Sequence, residues 1–176
     1  MKVILGVSSS VAIYKACELV RALRREGADV TVIMTPNATH LIAPRLFDAL
    51  TGNPTVVDLF DRGVAFGHLE AARDADCFVV APATANVIGK LAAGIADDAL
   101  TTTALAATCP RIVAPAMNPS MWGKEEVQDA LKRLIGYGYV VVPPGEGVAA
   151  CGDVGTGRLA NVDIILEYIL SNIKSN

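Results

Sequence analysis

Short runs of β-branched and other apolar residues alternate along this chain with longer stretches whose apolar positions recur every three or four residues. The runs are "KVILGV" (2–7), "ADVTVIMT" (28–35), "PTVVDL" (54–59), "DCFVVAPA" (76–83), "RIVAPA" (111–116) and "GYVVVPP" (138–144). Each is short and nearly continuous in apolar character, which predicts a strand covered on both faces. "PTVVDL", after the turn signal "TGNP", is the weakest of the six. Helical spacing runs through 11–27, 67–74, 84–94, 97–108, 123–136 and about 161–173, with Gly27 as a stop for the first. Strands alternating with helices predict an α/β fold: a three-layer, doubly wound, Rossmann-like or flavodoxin-like parallel sheet of about six strands, in a single domain over 1–176. Two segments fit neither period, 51–67 and 143–161. The second, "PPGEGVAACGDVGTGRLAN", is 19 residues long, and loops of that length inside a compact domain commonly serve as lids.

Composition narrows the function classes. Apolar residues make up 52% of the chain and charged residues 19%, an apolar share that favours extra burial in an oligomer. A formal net charge of −3 and the absence of a basic run give no basis for a nucleic-acid partner. No stretch is long and apolar enough to span a membrane, and the N-terminus lacks the apolar core and cleavage site of a signal peptide. The four cysteines, Cys17, Cys77, Cys109 and Cys151, form no CxxC pair, so neither zinc nor any other metal is expected and no disulfide framework is. A cytoplasmic location fits this reading.

Candidate chemistry collects at the strand ends, where open α/β sheets bind ligands. "GVSSSVA" puts Gly6, Ser8 and Ser9 on a strand-to-helix turn that suits a phosphate, or that simply caps the helix. Thr35 ends the next strand. "APATAN" supplies Pro82, Ala83, Thr84 and Asn86, either as helix-capping groups or as an edge against a flat heterocycle. "PAMNPSMWG" (115–123) crowds two thioethers, the single tryptophan and one amide together, as packing or as a ligand wall. His40 lies in a helical stretch and reads as structural or surface. His68, after the first irregular segment, reads evenly as structural or catalytic. Cys17, Cys77 and Cys109 sit in helix, strand and strand-entry contexts that suit small hydrophobes. Cys151, among the glycines of the second irregular segment, has no core to fill and reads as a reactive thiol.

"GHLE", "APATAN", "PAMNPSMW" and "ACGDVGTGR", in this order and over essentially the whole chain, resemble the flavin-containing cysteine decarboxylases. Within them the cysteine-glycine loop is similar to the branch that acts on phosphopantothenoylcysteine in coenzyme A biosynthesis. The resemblance implies FMN as cofactor, held near Gly6, Ser8, Ser9, Thr35, Pro82, Ala83, Thr84 and Asn86. It implies His68 as catalytic, Asn118 as catalytic and substrate-binding beside Ala116, Met117 and Arg158, and Cys151 as the proton donor on a flap. The implied reaction converts 4'-phospho-N-pantothenoylcysteine to 4'-phosphopantetheine and carbon dioxide through thioaldehyde and enethiolate intermediates, with no net redox change. A homotrimer, assembled in some members into a dodecamer, is implied as well, and so is a phosphopantothenate–cysteine ligase domain that is separate or missing. The alternatives are a peptidyl-cysteine decarboxylase, a flavoprotein reductase of the same fold and a regulatory flavoprotein.

Overall fold

The computed structural model describes residues 1–59 and 72–174. Five parallel strands form the main sheet: β1 (Lys2–Val7), β2 (Asp29–Met34), β3 (Cys77–Ala83), β4 (Arg111–Pro115) and β5 (Tyr139–Val141). Their spatial order is β2-β1-β3-β4-β5, the flavodoxin-like winding with its reversal between β1 and β3. The weak run at 54–59 contributes one bridge, Val56 against Ile33 on the open edge of β2, with Met34 donating to the Val56 carbonyl at 2.8 Å. It is a rudimentary sixth strand. Asp58, polar and exposed, ends the apolar run that a full strand would need.

The strands alternate between two cores because successive side chains point to opposite faces. Val3, Leu5, Val7, Val30, Val32 and Met34 pack on one side, against helices α1 (Tyr14–Arg25), α2 (Pro44–Thr51) and α7 (Val162–Lys174). Ile4, Ile33, Phe78, Val80 and Val113 pack on the other, against α3 (Ala85–Ala93), α4 (Ala99–Ala106) and α6 (Glu125–Gly136). Burial on both faces is the physical reason the strands lack polar alternation.

Helix α2 was not legible in the periodicity, since eight residues span barely two turns. Its punctuation is plain in retrospect: Pro44 at the first turn and Gly52, at φ +80°, as the left-handed cap. The predicted helix at 123–136 is α6, and a single helical turn that the periodicity does not predict, α5 (Pro119–Trp122), precedes it. The predicted helix at 67–74 lies mostly outside the described residues. The lid-like segment is a correction: part of 143–161 folds as an antiparallel hairpin, β6 (Gly145–Val148) with β7 (Val154–Arg158). Glycine at alternate positions hid the strand pattern there.

Candidate active site

The reversal between β1 and β3 opens a crevice at their carboxyl ends, and buried polar groups hold the two ends together. Ser8 is only 1% exposed. Its hydroxyl donates to the Pro82 carbonyl at 2.7 Å and accepts from the Thr84 N–H at 3.0 Å. Thr84 in turn caps α3, its hydroxyl accepting from Val87 N–H at 3.4 Å. Ser10 caps the short 3-10 turn Val11–Ile13 that leads into α1. Gly6 lies beneath this floor, where an added Cβ would meet Leu100 at 3.0 Å and Val80 at 3.3 Å. The turn therefore needs serine and glycine for its own construction, whatever binds above it.

The rear wall comes from the end of β4. Asn118 stands in extended backbone as the cap of α5, its side-chain oxygen accepting from Ser120 N–H at 2.7 Å. That bond fixes the amide's orientation and turns its nitrogen toward the β6–β7 hairpin. The nitrogen lies 3.0 Å from Cys151 Sγ and 2.5 Å from Asp153 Oδ2, and the Cys151 thiol lies 3.4 Å from the same carboxylate oxygen. Both Cys151 and Asp153 are exposed. The hairpin tip that carries them is closed by Gly152 N–H on Ala149 O at 2.9 Å and Ala149 N–H on Asp153 O at 2.7 Å.

The hairpin reaches the wall because Gly157 has no side chain. Met117 N–H donates to Gly157 O at 2.8 Å, and a Cβ on Gly157 would stand 2.6 Å from the Met117 carbonyl oxygen. Its φ of +146° also favours glycine. Gly155 approaches Pro119 in the same way, within 3.0 Å of a built Cβ. The glycine spacing of "GDVGTGR" is thus a docking edge.

Between floor, wall and hairpin lies a cavity of about 520 Å³, within the range of small-molecule sites. Ser9, Thr84, Ala116, Met117, Asn118, Cys151 and Arg158 all line it. Of the other residues singled out in the sequence, Gly6, Ser8, Thr35, Pro82 and Ala83 are buried beneath the rim, and Asn86 is exposed on the first turn of α3. His68 lies outside the described residues. His40 is exposed in the 3-10 turn Pro36–His40.

Two polar residues escaped the sequence reading. Lys15 lines the cavity from the first turn of α1, and Asp153 joins Asn118 and Cys151. Adjacency to the cysteine in "CGD" was the available signal for Asp153. Lys15 had none, because its neighbour Ala16 belongs to the buried stripe and Lys15 reads as solvent-facing. The remaining cysteines behave as core: burial pushes the Cys77 thiol up to about 12, and burial also raises Cys17 and Cys109. Among the described residues no cluster suited to a metal occurs, and no helix is long and apolar enough to cross a membrane.

Known proteins are similar to this chain over nearly its whole length. The coenzyme A biosynthesis bifunctional protein CoaBC of Bacillus subtilis is 47% identical over 167 residues, covering 94% of this chain and 41% of that protein. The chain thus spans about two fifths of the length of the curated relative. SpaF, an FMN-dependent cysteine decarboxylase, superposes with a TM-score of 0.86 at 34% identity, over 99% of this chain and 97% of its own. A cysteine-to-serine mutant of PPC decarboxylase, complexed with pantothenoylaminoethenethiol, gives 0.83 at 30% identity, covering 97% and 96%. The Flavoprotein family matches residues 1–174, and the chain belongs to that family.

Proposed function

We propose that this chain is an FMN-dependent decarboxylase that converts 4'-phosphopantothenoylcysteine to 4'-phosphopantetheine and carbon dioxide. The observation that carries the reading is the single cluster of Asn118 amide, Cys151 thiol and Asp153 carboxylate at the cavity. An amide that can hold a carboxylate and a thiol that can give a proton stand side by side there, as the reaction requires.

The rim fits a flavin nucleotide. Ser9, Ser10 and Thr84 offer hydroxyls at the starts of two helices, where an anionic tail is favoured. Ala85, Ala116 and Met117 give a low apolar surface suited to a flat ring system. Asn86 adds an amide at the edge, while Gly6, Ser8, Thr35, Pro82 and Ala83 set the depth of the floor. When bound, FMN supplies a reversible electron sink, so that the carbon bearing the substrate thiol can be oxidised before carbon dioxide leaves and reduced afterwards.

The chain's own residues do the rest. Asn118 holds the substrate carboxylate without a positive charge that would stabilise it against departure. Cys151 protonates the enethiolate carbon that decarboxylation leaves. His68 takes the substrate's thiol proton at the start. Among the described residues Lys15 and Arg158 are the cations that line the cavity, and they suit a phosphorylated substrate. Lys15 sits in the first turn of α1, where the helix dipole disfavours a cation unless an anion lies beside it.

Val11, Tyr14 and Met121 are large, exposed and apolar at the cavity mouth. They support a homo-oligomer, expected to be a trimer, in which a second copy covers the mouth. Sedimentation of flavin-loaded protein as a monomer overturns that part. The bifunctional relative supports a ligase that supplies the substrate from a separate domain or protein.

Mass spectrometry of the flavin-loaded protein with phosphopantothenoylcysteine, and no added reductant, tests the reading. The expected product has lost the mass of carbon dioxide alone. Cys151→Ser should stall at the product that has lost two further hydrogens. If Cys151→Ser makes phosphopantetheine at the normal rate, the cysteine is not the proton donor. The likeness to SpaF, an FMN-dependent cysteine decarboxylase, is equally consistent with a second reading, a peptide C-terminal cysteine as substrate. Turnover of such a peptide, with none of the pantothenoyl compound, would select it.

A further inference from the structure

Beside this cavity, against two of its lining residues, stands a carboxylate of the protein itself. Asp153 Oδ2 takes the Asn118 amide at 2.5 Å, the shortest polar contact in the cluster, and the same oxygen receives the Cys151 thiol at 3.4 Å. Asn118 is the residue assigned above to the substrate's carboxylate, and its amide cannot turn away to serve both. Its oxygen is tied to Ser120 N–H, and that bond points the nitrogen at the hairpin tip. A substrate carboxylate arriving at this nitrogen meets a resident one. Two like charges sharing one amide repel, so one of them leaves.

We infer that Asp153 is a positioning residue, an internal stand-in for the substrate carboxylate whose exchange on Asn118 orders the reaction. The inference rests on the function proposed above. With no substrate, Asp153 closes the hairpin tip onto Asn118. A substrate carboxylate displaces it, and because Cys151 and Asp153 share one tight tip, the thiol is drawn from Asn118 with it. The tip turns as a unit through the Gly152–Ala149 and Ala149–Asp153 bonds. Once carbon dioxide has gone, the remaining enethiolate offers Asn118 no carboxylate. Asp153 then returns to the amide and carries Cys151 back beside the carbon it protonates. The proton donor is thereby absent during decarboxylation and present after it, with no sensor other than the carboxylate itself.

The test compares two unreactive ligands on the flavin-loaded protein by calorimetry. One is the serine analogue of the substrate, which keeps the carboxylate but has no thiol to oxidise. The other is the same analogue without its carboxylate. Removing the internal competitor by Asp153→Asn or Asp153→Ala should tighten the carboxylate-bearing ligand by on the order of tenfold, the scale of one hydrogen bond to a charged group. Binding of the decarboxylated analogue should weaken or stay the same. Asp153→Glu, which restores the charge, should return the wild-type ratio between the two ligands. In turnover, Asp153→Ala should release a share of its product short of two hydrogens, because Cys151 is no longer brought back. A structural role alone would shift both ligands together. Wild-type discrimination between the ligands that Asp153→Asn and Asp153→Ala leave unchanged, or weaker carboxylate binding in those variants, overturns the stand-in while sparing the substrate assignment. A wild-type protein that binds neither analogue overturns the substrate assignment itself, and the stand-in with it.

Discussion

Ser8 shows how a single hydroxyl can be read in two ways from sequence and in one way from its surroundings. As the first serine of "GVSSSVA" it is a candidate phosphate contact. In the fold it is buried and bridges the Pro82 carbonyl and the Thr84 N–H. Ser8→Ala leaves the Thr84 N–H without its partner and the Pro82 carbonyl with only the longer Ser8 N–H bond at 3.3 Å, which costs about 1–3 kcal/mol. The expected result is a lower midpoint in urea unfolding of the flavin-free protein. Unchanged stability together with weaker flavin binding would mean that the hydroxyl contacts the cofactor instead. Among the polar residues the sequence singled out, those that line the cavity are exposed or half-exposed: Ser9, Thr84, Asn118, Cys151 and Arg158. Others, such as Gly6 and Thr35, sit at the right strand ends, yet packing consumes them. Strand-end position is legible from pattern. Which neighbour a hydroxyl chooses depends on a strand some seventy residues away, which no local window contains.

The β6–β7 hairpin is the element on which the site depends most and the one the chain disguises best. Five parallel strands announced themselves because burial on both faces forces continuous apolar runs. The hairpin is exposed, and its inward positions are glycines, so it carried no periodic signal and read as a loop. What those glycines do is allow backbone to approach backbone. Gly157→Ala puts a methyl group 2.6 Å from the Met117 oxygen at a φ of +146°, so the hairpin must withdraw from the wall. The strain of one such residue is of order 1–3 kcal/mol, more than a hairpin edge held by few bonds can absorb. The expected outcome is a folded protein whose Cys151 is alkylated faster than in the wild type and which decarboxylates at least tenfold more slowly. Gly94→Ala, also at positive φ but with nothing within 4 Å of the added carbon, serves as the control. It should lose a little stability and keep the site. Equal loss of activity in the two variants would show that general backbone strain, and not docking of the hairpin, is responsible.

At the scale of the whole molecule, the two cores that hold the sheet also fix how stability responds to alkali. Cys77 lies at the start of β3 with no exposure, and burial lifts its thiol from 9.0 to about 12. Burial raises Cys17, Cys109 and Tyr139 in the same direction. In the unfolded chain these groups titrate near their ordinary values, so above pH 9.0 the unfolded state sheds protons that the folded state retains. Stability falls wherever the unfolded state binds fewer protons. The contribution of Cys77 is therefore fully present below pH 9.0 and is lost as the pH rises toward 12, by up to about 4 kcal/mol if the whole difference is expressed. Urea midpoints of the wild type should decline over that interval, and the decline should be shallower in Cys77→Ala, even though that variant starts less stable because of the space it leaves in the core. The comparison of slopes isolates the thiol from every alkaline effect that the two proteins share. Parallel slopes in the two proteins would mean that β3 opens locally at its start and lets Cys77 ionise before the sheet unfolds, which would place the weak point of the molecule at the end of β3 opposite the crevice that its function uses.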